Sequence, residues 1–208
     1  MMQGRLFLAS SSPRRLDLVR SLGLEPEVVS PDIDESPLEG EMPREHVARL
    51  AAAKLHAVVV RREQPTGWAQ WTAPAEGTVI AADTTVDLDG RILGKPADTE
   101  DAVRMLRSLS GRRHEVHTAV AVWTGGTSTV EVVTSGVVFR RLDPLEIERY
   151  AASGEPLDKA GAYALQGGGG RFVQAVEGSR SNVIGLPLGV VARLLGLPAP
   201  VGEPGDLG

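Results

Sequence analysis

The sequence predicts a mixed α/β domain, and three patterns carry that prediction. Short apolar runs of strand length, such as Leu6-Phe7-Leu8-Ala9 and Val79-Ile80-Ala81-Ala82, alternate with segments whose apolar residues recur at helical spacing. Gly, Pro and Asp punctuate the boundaries between them. The core must also be aliphatic, since hydrophobic residues make up 42% of the 208 but aromatics only 4%.

The opening unit is a strand at Leu6-Phe7-Leu8-Ala9, a helix over roughly 13–22 and a strand over 26–30. Ser12 reads as the helix N-cap with Pro13 in the first helical position. An acidic loop, "SPDIDESPLEGEMP", leads to a helix from Pro43 to about Arg62, with an inward stripe of Val47, Leu50, Ala51, Leu55 and Val58. Residues 63–76 lack periodicity and read as an exposed loop insertion. A buried strand at Val79-Ile80-Ala81-Ala82 then ends at Asp83, and Asp89-Gly90 predicts a hairpin turn. A helix follows from Asp98 to Leu109, capped at Gly111. The runs His114 to Trp123 and Thr129 to Phe139 alternate as strands about a Thr124-Gly125-Gly126 turn. Asp143-Pro144-x-Glu146 predicts a capping-box start for a helix ending at Gly154. A Gly-rich loop, a strand over 171–176 and a helix near 187–195 complete the domain. The Pro- and Gly-rich last ten residues, 199–208, read as a flexible tail, leaving 1–198 as a single domain.

Composition narrows the function. The chain has no cysteine, which excludes a disulfide framework and any Cys-ligated metal. No apolar run is long enough for a membrane span and no signal-peptide pattern opens the chain, so a cytoplasmic protein is expected. A net charge of −5 argues against a nucleic-acid partner, which calls for a broad basic surface. Positive charge aimed at an anion must therefore be local.

Arg14 and Arg15 are such a spot. They fall in the first turn of a helix, where the dipole disfavours cations by roughly 0.3–1 kcal/mol each. Two solvated surface arginines are the plain reading. An anion site, with the first-turn N–H groups, the Ser10 and Ser12 hydroxyls and two guanidinium forks converging on phosphate oxygens, also explains their placement. Lys54 falls on the inward stripe of its helix; it either snorkels at the stripe edge or enters a cleft to meet an anion. Asp83, at the end of a buried strand beside Thr84 and Thr85, suits binding or catalysis, with an Asx turn as the alternative. Gly94-Lys95-Pro96 offers a compact charge or a simple exposed turn. Asp32, Asp34 and Glu35 form an acidic cluster suited to a hard cation such as Mg²⁺, or a solvated loop. His114 and His117, three apart on one strand, face opposite sides, which discounts a shared metal role. "GGGG" at 167–170 lacks the strand-to-helix context of a dinucleotide motif and reads as a loop. Four cations and several carboxylates at element ends suit a polyphosphate with a metal and water as nucleophile.

In that order along the chain, "LASSSPRRLDLVRSLG", "DIDES", "VARLAAAK", "IAADTTV", "GKPADTEDAVRMLRSLSGRRHEVHTAVAV", "GEPLDKAGAYALQG" and "GSRSNVIGLPL" resemble the Maf family of nucleoside triphosphate pyrophosphatases, also called septum-formation inhibitors. The resemblance implies an α/β fold of the Maf and ITPase-like type, with a twisted mixed sheet flanked by helices and two lobes around a central cleft. It implies hydrolysis of a nucleoside triphosphate to the monophosphate and pyrophosphate with a divalent metal, Mg²⁺ or Mn²⁺. On the family pattern Asp83 matches the catalytic proton acceptor, and Arg14, Thr84 and Gln166 match positions that set substrate choice. Ser10, Arg15, Glu35, Lys54 and Lys95 match other cleft residues. Glu35 and Asp83 are the candidate metal carboxylates, Asp83 either taking the proton of the attacking water directly or binding the metal that lowers its pKa. "ADTT" with "DKAGAYALQG" resembles the branch acting on dTTP and UTP, modified pyrimidine nucleotides being further candidates. The Gln166 amide can match O4 and N3–H of uracil or thymine. A homodimer is compatible with this reading; nucleic acid and membrane are not expected partners. A rival is a nucleotide-sensing regulator of septum formation without essential turnover, but a pure binder needs no base.

Overall fold

In the computed structural model, residues 4–59 and 77–201 are described. The expected loop insertion at 63–76, the expected last turn of the second helix and the 202–208 part of the tail lie outside them. Seven strands form one mixed sheet in the order β2-β1-β3-β5-β6-β7, with β4 pairing β3 off that path. The strands are β1 (Leu6–Ala9), β2 (Glu27–Val28), β3 (Thr78–Leu88), β4 (Arg91–Leu93), β5 (Arg113–Thr124), β6 (Thr127–Phe139) and β7 (Val173–Glu177). Among the described residues six helices flank it: α1 (Pro13–Ser21), α2 (Pro43–Val59), α3 (Thr99–Leu109), α4 (Pro144–Ala151), α5 (Arg180–Ile184) and α6 (Leu188–Leu194). The expected α/β class and mixed sheet are observed.

Pairing of β1 with β2 and β3 is parallel and all other pairing is antiparallel. Around β3 this leaves a gap that positions the site. On one side β1 runs out at Ala9, opposite Ala81, and pairing with β4 starts only at Val86, opposite Leu93. On its other side β3 pairs β5 without a break from Thr78 to Asp87. Residues 82–85 are therefore held rigidly on one edge and open on the other.

The apolar residues of β1 and β3 sort by parity, as a strand buried on both faces must. Leu6, Leu8, Ile80 and Ala82 pack with Leu18, Val19, Val190 and Val191 under α1 and α6. Phe7, Ala9, Val79 and Ala81 pack under α2, against Val47, Ala51, Leu55 and Val58 of the expected stripe. Each fully buried Val, Leu, Ile or Phe among them contributes about 1.5–3 kcal/mol. A third core lies past the gap, where Val86 and Leu88 meet Leu106, Phe139, Ile147 and Phe172. Two cores back one end of the sheet and one the other, and a cleft of about 990 Å³ opens between them.

Several local expectations need correction. The strand at Val79 does not stop at Asp83 but continues to Leu88, so Asp83 is a mid-strand residue. Antiparallel pairing with the long β5 supplies the hydrogen bonds that carry it on. Ser12 stands at the N-cap position of α1, yet its side chain makes no capping bond. Asp143 caps α4 by accepting from Leu145 N–H, and the Glu146 carboxylate meets the Asp143 backbone as the expected box requires, while its main partner is the Arg140 guanidinium, a stronger charge-assisted donor. That helix stops at Ala151 rather than Gly154, and the Gly-rich stretch contains 3₁₀ turns at Glu155–Asp158, Ala160–Ala162 and Gly168–Phe172. Helix α5, only five residues long, has no counterpart in the periodicity reading. The hairpin turn between β5 and β6 is as expected: Gly125 and Gly126 both take positive φ, 56° and 82°, which the tight two-residue turn requires.

Candidate active site

The cleft floor is the open edge of β3. Successive strand residues point to opposite faces, so Asp83 and Thr84 serve different sides. Asp83 faces α2, where Lys54 Nζ lies 2.6 Å from its Oδ1. The same ammonium lies 2.5 Å from Glu35 Oε1, and Glu35 Oε2 lies 3.5 Å from Lys95 Nζ. Lys54 does not snorkel. Its side chain is 7% exposed and bridges two carboxylates from separate parts of the chain. The apolar stripe of α2 aims it there, since Leu50, Ala51 and Leu55 on the same face are buried.

Burial opposes ionisation of Glu35, but the Lys54 hydrogen bond and the charges of Lys54 and Lys95 outweigh it and hold its carboxyl below the ordinary value. Asp83 Oδ2 has no hydrogen-bond donor among the described residues. With Glu35 Oε2 it offers an oxygen to a hard cation, and Mg²⁺ characteristically takes one or two carboxylates with substrate phosphates and water. The donor set therefore fits the expected metal. The expected acidic cluster separates: Glu35 lines the cleft, whereas Asp32 and Asp34 do not, and Asp34 accepts from Ser36 N–H at 2.9 Å.

Across the floor, Thr84 faces the start of α1. Arg15 donates from Nε to Gly185 O at 2.8 Å, from Nη2 to Thr84 Oγ1 at 3.0 Å and from Nη1 to Ser10 Oγ at 3.4 Å. Desolvation pulls the Arg15 guanidinium below its ordinary value, with Asp83 and Glu35 opposing and Arg14 assisting. Arg14 lines the cleft beside it and makes no side-chain hydrogen bond or ion pair among the described residues. Because Ser12 does not cap α1, its first-turn N–H groups remain available to a ligand. Ser10 Oγ instead accepts from Ser12 N–H at 3.2 Å. Gln166 is exposed and lines the cleft from the far lobe. The structure thus gathers Ser10, Ser12, Arg14, Arg15, Glu35, Lys54, Asp83, Thr84, Lys95 and Gln166 around one cleft.

The glycine tract has a packing cause. A Cβ on Gly170 would stand 2.5 Å from the Leu165 carbonyl oxygen, so the tract lets the chain double back on the loop that presents Gln166. His114 and His117 do face opposite sides. His114 Nε2 meets Tyr163 Oη at 2.9 Å in the far core, where burial and then the Arg113 charge lower its pKa to about 4. His117 meets Thr134 and Asp87, and with Asp87 and Glu115 forms the one group of three ligand-type atoms, all within 4.8 Å of one another, among the described residues. None of these three lines the cleft.

Sequence reasoning assigned no role to Lys159, Thr118, Asn182 and Gly185. Lys159 lines the cleft and donates to Glu155 O at 2.8 Å and to the Asp158 carboxylate. Thr118 and Asn182 are fully buried behind Thr84. The available signal was polar residues inside apolar runs, in "HTAVAV" and "SNVIGL".

Residues 5–197 match the family described as Maf-like protein. A relative from Anaeromyxobacter dehalogenans (strain 2CP-C), named dTTP/UTP pyrophosphatase, is 50% identical over 98% of this chain and 100% of its own. Relatives of the same name from Myxococcus xanthus and Chromobacterium violaceum are 50% and 47% identical, over 95% and 92% of this chain and 96% and 93% of theirs. Among solved structures, the Staphylococcus aureus Ham1 protein aligns with a TM-score of 0.43 at 16% identity, over 65% of this chain and 72% of that one.

Proposed function

The chain belongs to the Maf family, and from that premise we propose that it is a nucleoside triphosphate pyrophosphatase, hydrolysing dTTP and UTP to the monophosphate and pyrophosphate. The observation that carries the residue assignment is the buried Lys54 ammonium between Asp83 and Glu35 at the cleft floor. A carboxylate and a lysine taken out of water together are costly unless paired, and pairing them at a cleft holds charge ready for a polyanion.

The triphosphate enters against the first turn of α1, where free N–H groups, Arg14 and the remaining Arg15 donors meet its oxygens. Asp83 accepts the proton of the attacking water as the new oxygen–phosphorus bond forms and the α–β bridging bond breaks. Lys54 keeps that carboxylate oriented through Oδ1. Lys54 and Lys95 offset charge growing on the phosphate oxygens. Glu35 and Asp83 would hold the divalent metal, which when bound offsets phosphate charge and lowers the pKa of water. Gln166 presents an amide, donor and acceptor together, to the base. In this proposal the enzyme works on free nucleotide in the cytoplasm, without nucleic acid or membrane, as a monomer or homodimer.

The test is product identity. Purified protein with Mg²⁺ or Mn²⁺ and dTTP or UTP should release monophosphate and pyrophosphate in equal amounts by phosphorus NMR. Release of orthophosphate and a nucleoside diphosphate, or no turnover across a nucleotide panel, would overturn the reading.

A further inference from the structure

We propose that Thr118, a positioning residue buried behind the cleft, fixes Thr84 as a hydrogen-bond acceptor, so that the site selects nucleosides offering a donor there. The selection presupposes the nucleotide hydrolysis proposed above and adds a rule for which group of the substrate Thr84 takes.

Proton direction follows from the fixed end of a short relay. The main-chain carbonyl of Asn182 can only accept, and Thr118 Oγ1 lies 2.9 Å from it. Asn182 cannot shift away. Its Nδ2 donates to Val116 O at 3.0 Å and to Ser135 Oγ at 2.9 Å, and its N–H to Ser179 Oγ at 3.0 Å. Thr118 is 0% exposed, so its one proton goes to that carbonyl and is not shared with solvent. Thr84 Oγ1 lies 2.9 Å from Thr118 Oγ1, and with the Thr118 proton committed, Thr84 must be the donor. The other acceptor near Thr84 among the described residues, Gly185 O, lies at 3.5 Å and already accepts from Arg15 Nε at 2.8 Å, so it holds the Thr84 proton only weakly. Meanwhile Arg15 Nη2 donates into Thr84 Oγ1 at 3.0 Å.

The Thr84 hydroxyl is left with its hydrogen used, one lone pair filled and one lone pair open, and it lines the cleft. A free threonine hydroxyl rotates to donate or accept as a ligand requires; this one can only accept. An N–H or O–H of the substrate is bonded, while a carbonyl oxygen, a phosphate oxygen or a bare ring nitrogen meets lone pair against lone pair. Two groups of a thymidine or uridine nucleotide supply such a donor: the ring N3–H, which cytosine lacks, and a sugar hydroxyl.

The experiment compares wild type with Thr118→Val, Thr118→Ala and Thr118→Ser, reading kcat/KM for dTTP, dCTP and 3′-O-methyl-dTTP, whose ether oxygen can only accept, with a thermal melt of each. Ratios within one variant cancel any uniform loss of stability. Wild type and Thr118→Ser should share their ratios. In Thr118→Val and Thr118→Ala the Thr84 hydroxyl is freed to donate, and one ratio should fall about tenfold, the value of one hydrogen bond. A fall in dTTP over dCTP identifies the ring N–H; a fall in dTTP over 3′-O-methyl-dTTP identifies the sugar hydroxyl. Both ratios unchanged in the folded Val or Ala variant, with wild type active, would overturn the relay and leave the pyrophosphatase reading standing. Ratios in Thr118→Ser that match Thr118→Val would overturn it too, because the hydroxyl would not be what matters. A wild type inactive on dTTP would overturn both.

Discussion

Along α2, β3 and the loop at Glu35, the charged groups facing the cleft are already partnered: Lys54 with Asp83 and Glu35, and Glu35 in turn with Lys95. At the start of α1 the pattern reverses. Arg14 has no ion pair among the described residues, the helix is uncapped by Ser12, and only Arg15 is tied down. The difference is one of task. Groups that move a proton or meet charge in the transition state must be held before the substrate arrives. Groups that bind a polyanion gain most if their donors are unsatisfied until it does. On the function proposed above, the paired wall serves chemistry and the unpaired wall capture.

The largest effect should come from removing divalent cations. Two carboxylates facing a triphosphate repel it unless a cation bridges them, so exhaustive EDTA treatment should abolish turnover and added Mg²⁺ or Mn²⁺ should restore it. Full activity after chelation would remove the metal role of Glu35 and Asp83. Next is Lys54→Met, which strands the buried Asp83 carboxylate. Stability should fall by about 3 kcal/mol in denaturant titration, and kcat should fall more than KM rises. A variant as stable and active as wild type would deny that the paired wall is prepared for chemistry.

Arg14→Ala should act the other way. Removing one charge-assisted hydrogen bond to the triphosphate weakens substrate binding by about 1.5–3 kcal/mol, roughly tenfold or more in kcat/KM, with a nearly unchanged melt because Arg14 makes no hydrogen bond or ion pair among the described residues. Unchanged kinetics would return it to the solvated surface. The smallest effect is on pH. Glu35 has its pKa depressed in the folded protein by Lys54, so its contribution is fully present above the ordinary carboxylate value of 4.5 and fades as pH falls through the lower folded value. With the side chain 44% exposed, the effect is small. Glu35→Gln should flatten the acid limb of the stability curve slightly; a steeper limb would contradict the pairing.

Much of this was legible in the chain. Parity of apolar residues in β1 and β3 and the stripe of α2 gave the layers, and Lys54 on that stripe was legible as an anomaly because a lone charge among buried neighbours needs a partner. What periodicity could not give is the identity of the partner, since Lys54 and Asp83 are 29 residues apart in the chain and meet only through the packing of α2 on β3. The mid-strand position of Asp83 was hidden for a related reason. "DTTVDLDG" reads as polar punctuation, and only its cross-strand bonds to β5 make it strand. Helix α5 and the hydrogen bond from Thr118 to Asn182 were equally invisible. Five residues carry too little period to register, and their stability comes from buried hydrogen bonds to Ser135 and Val116 on other strands.

Asp83→Asn puts the division between the two walls to its most direct test, with equilibrium binding of dTTP and single-turnover kinetics measured on the same folded protein. Asparagine keeps the shape and an oxygen for Lys54 but cannot take a proton. Affinity for dTTP should stay within a few-fold of wild type, because the α1 wall is intact, while turnover falls by about 10²–10⁴. A folded Asp83→Asn protein that hydrolyses dTTP at near wild-type rate would contradict the assignment of chemistry to that wall.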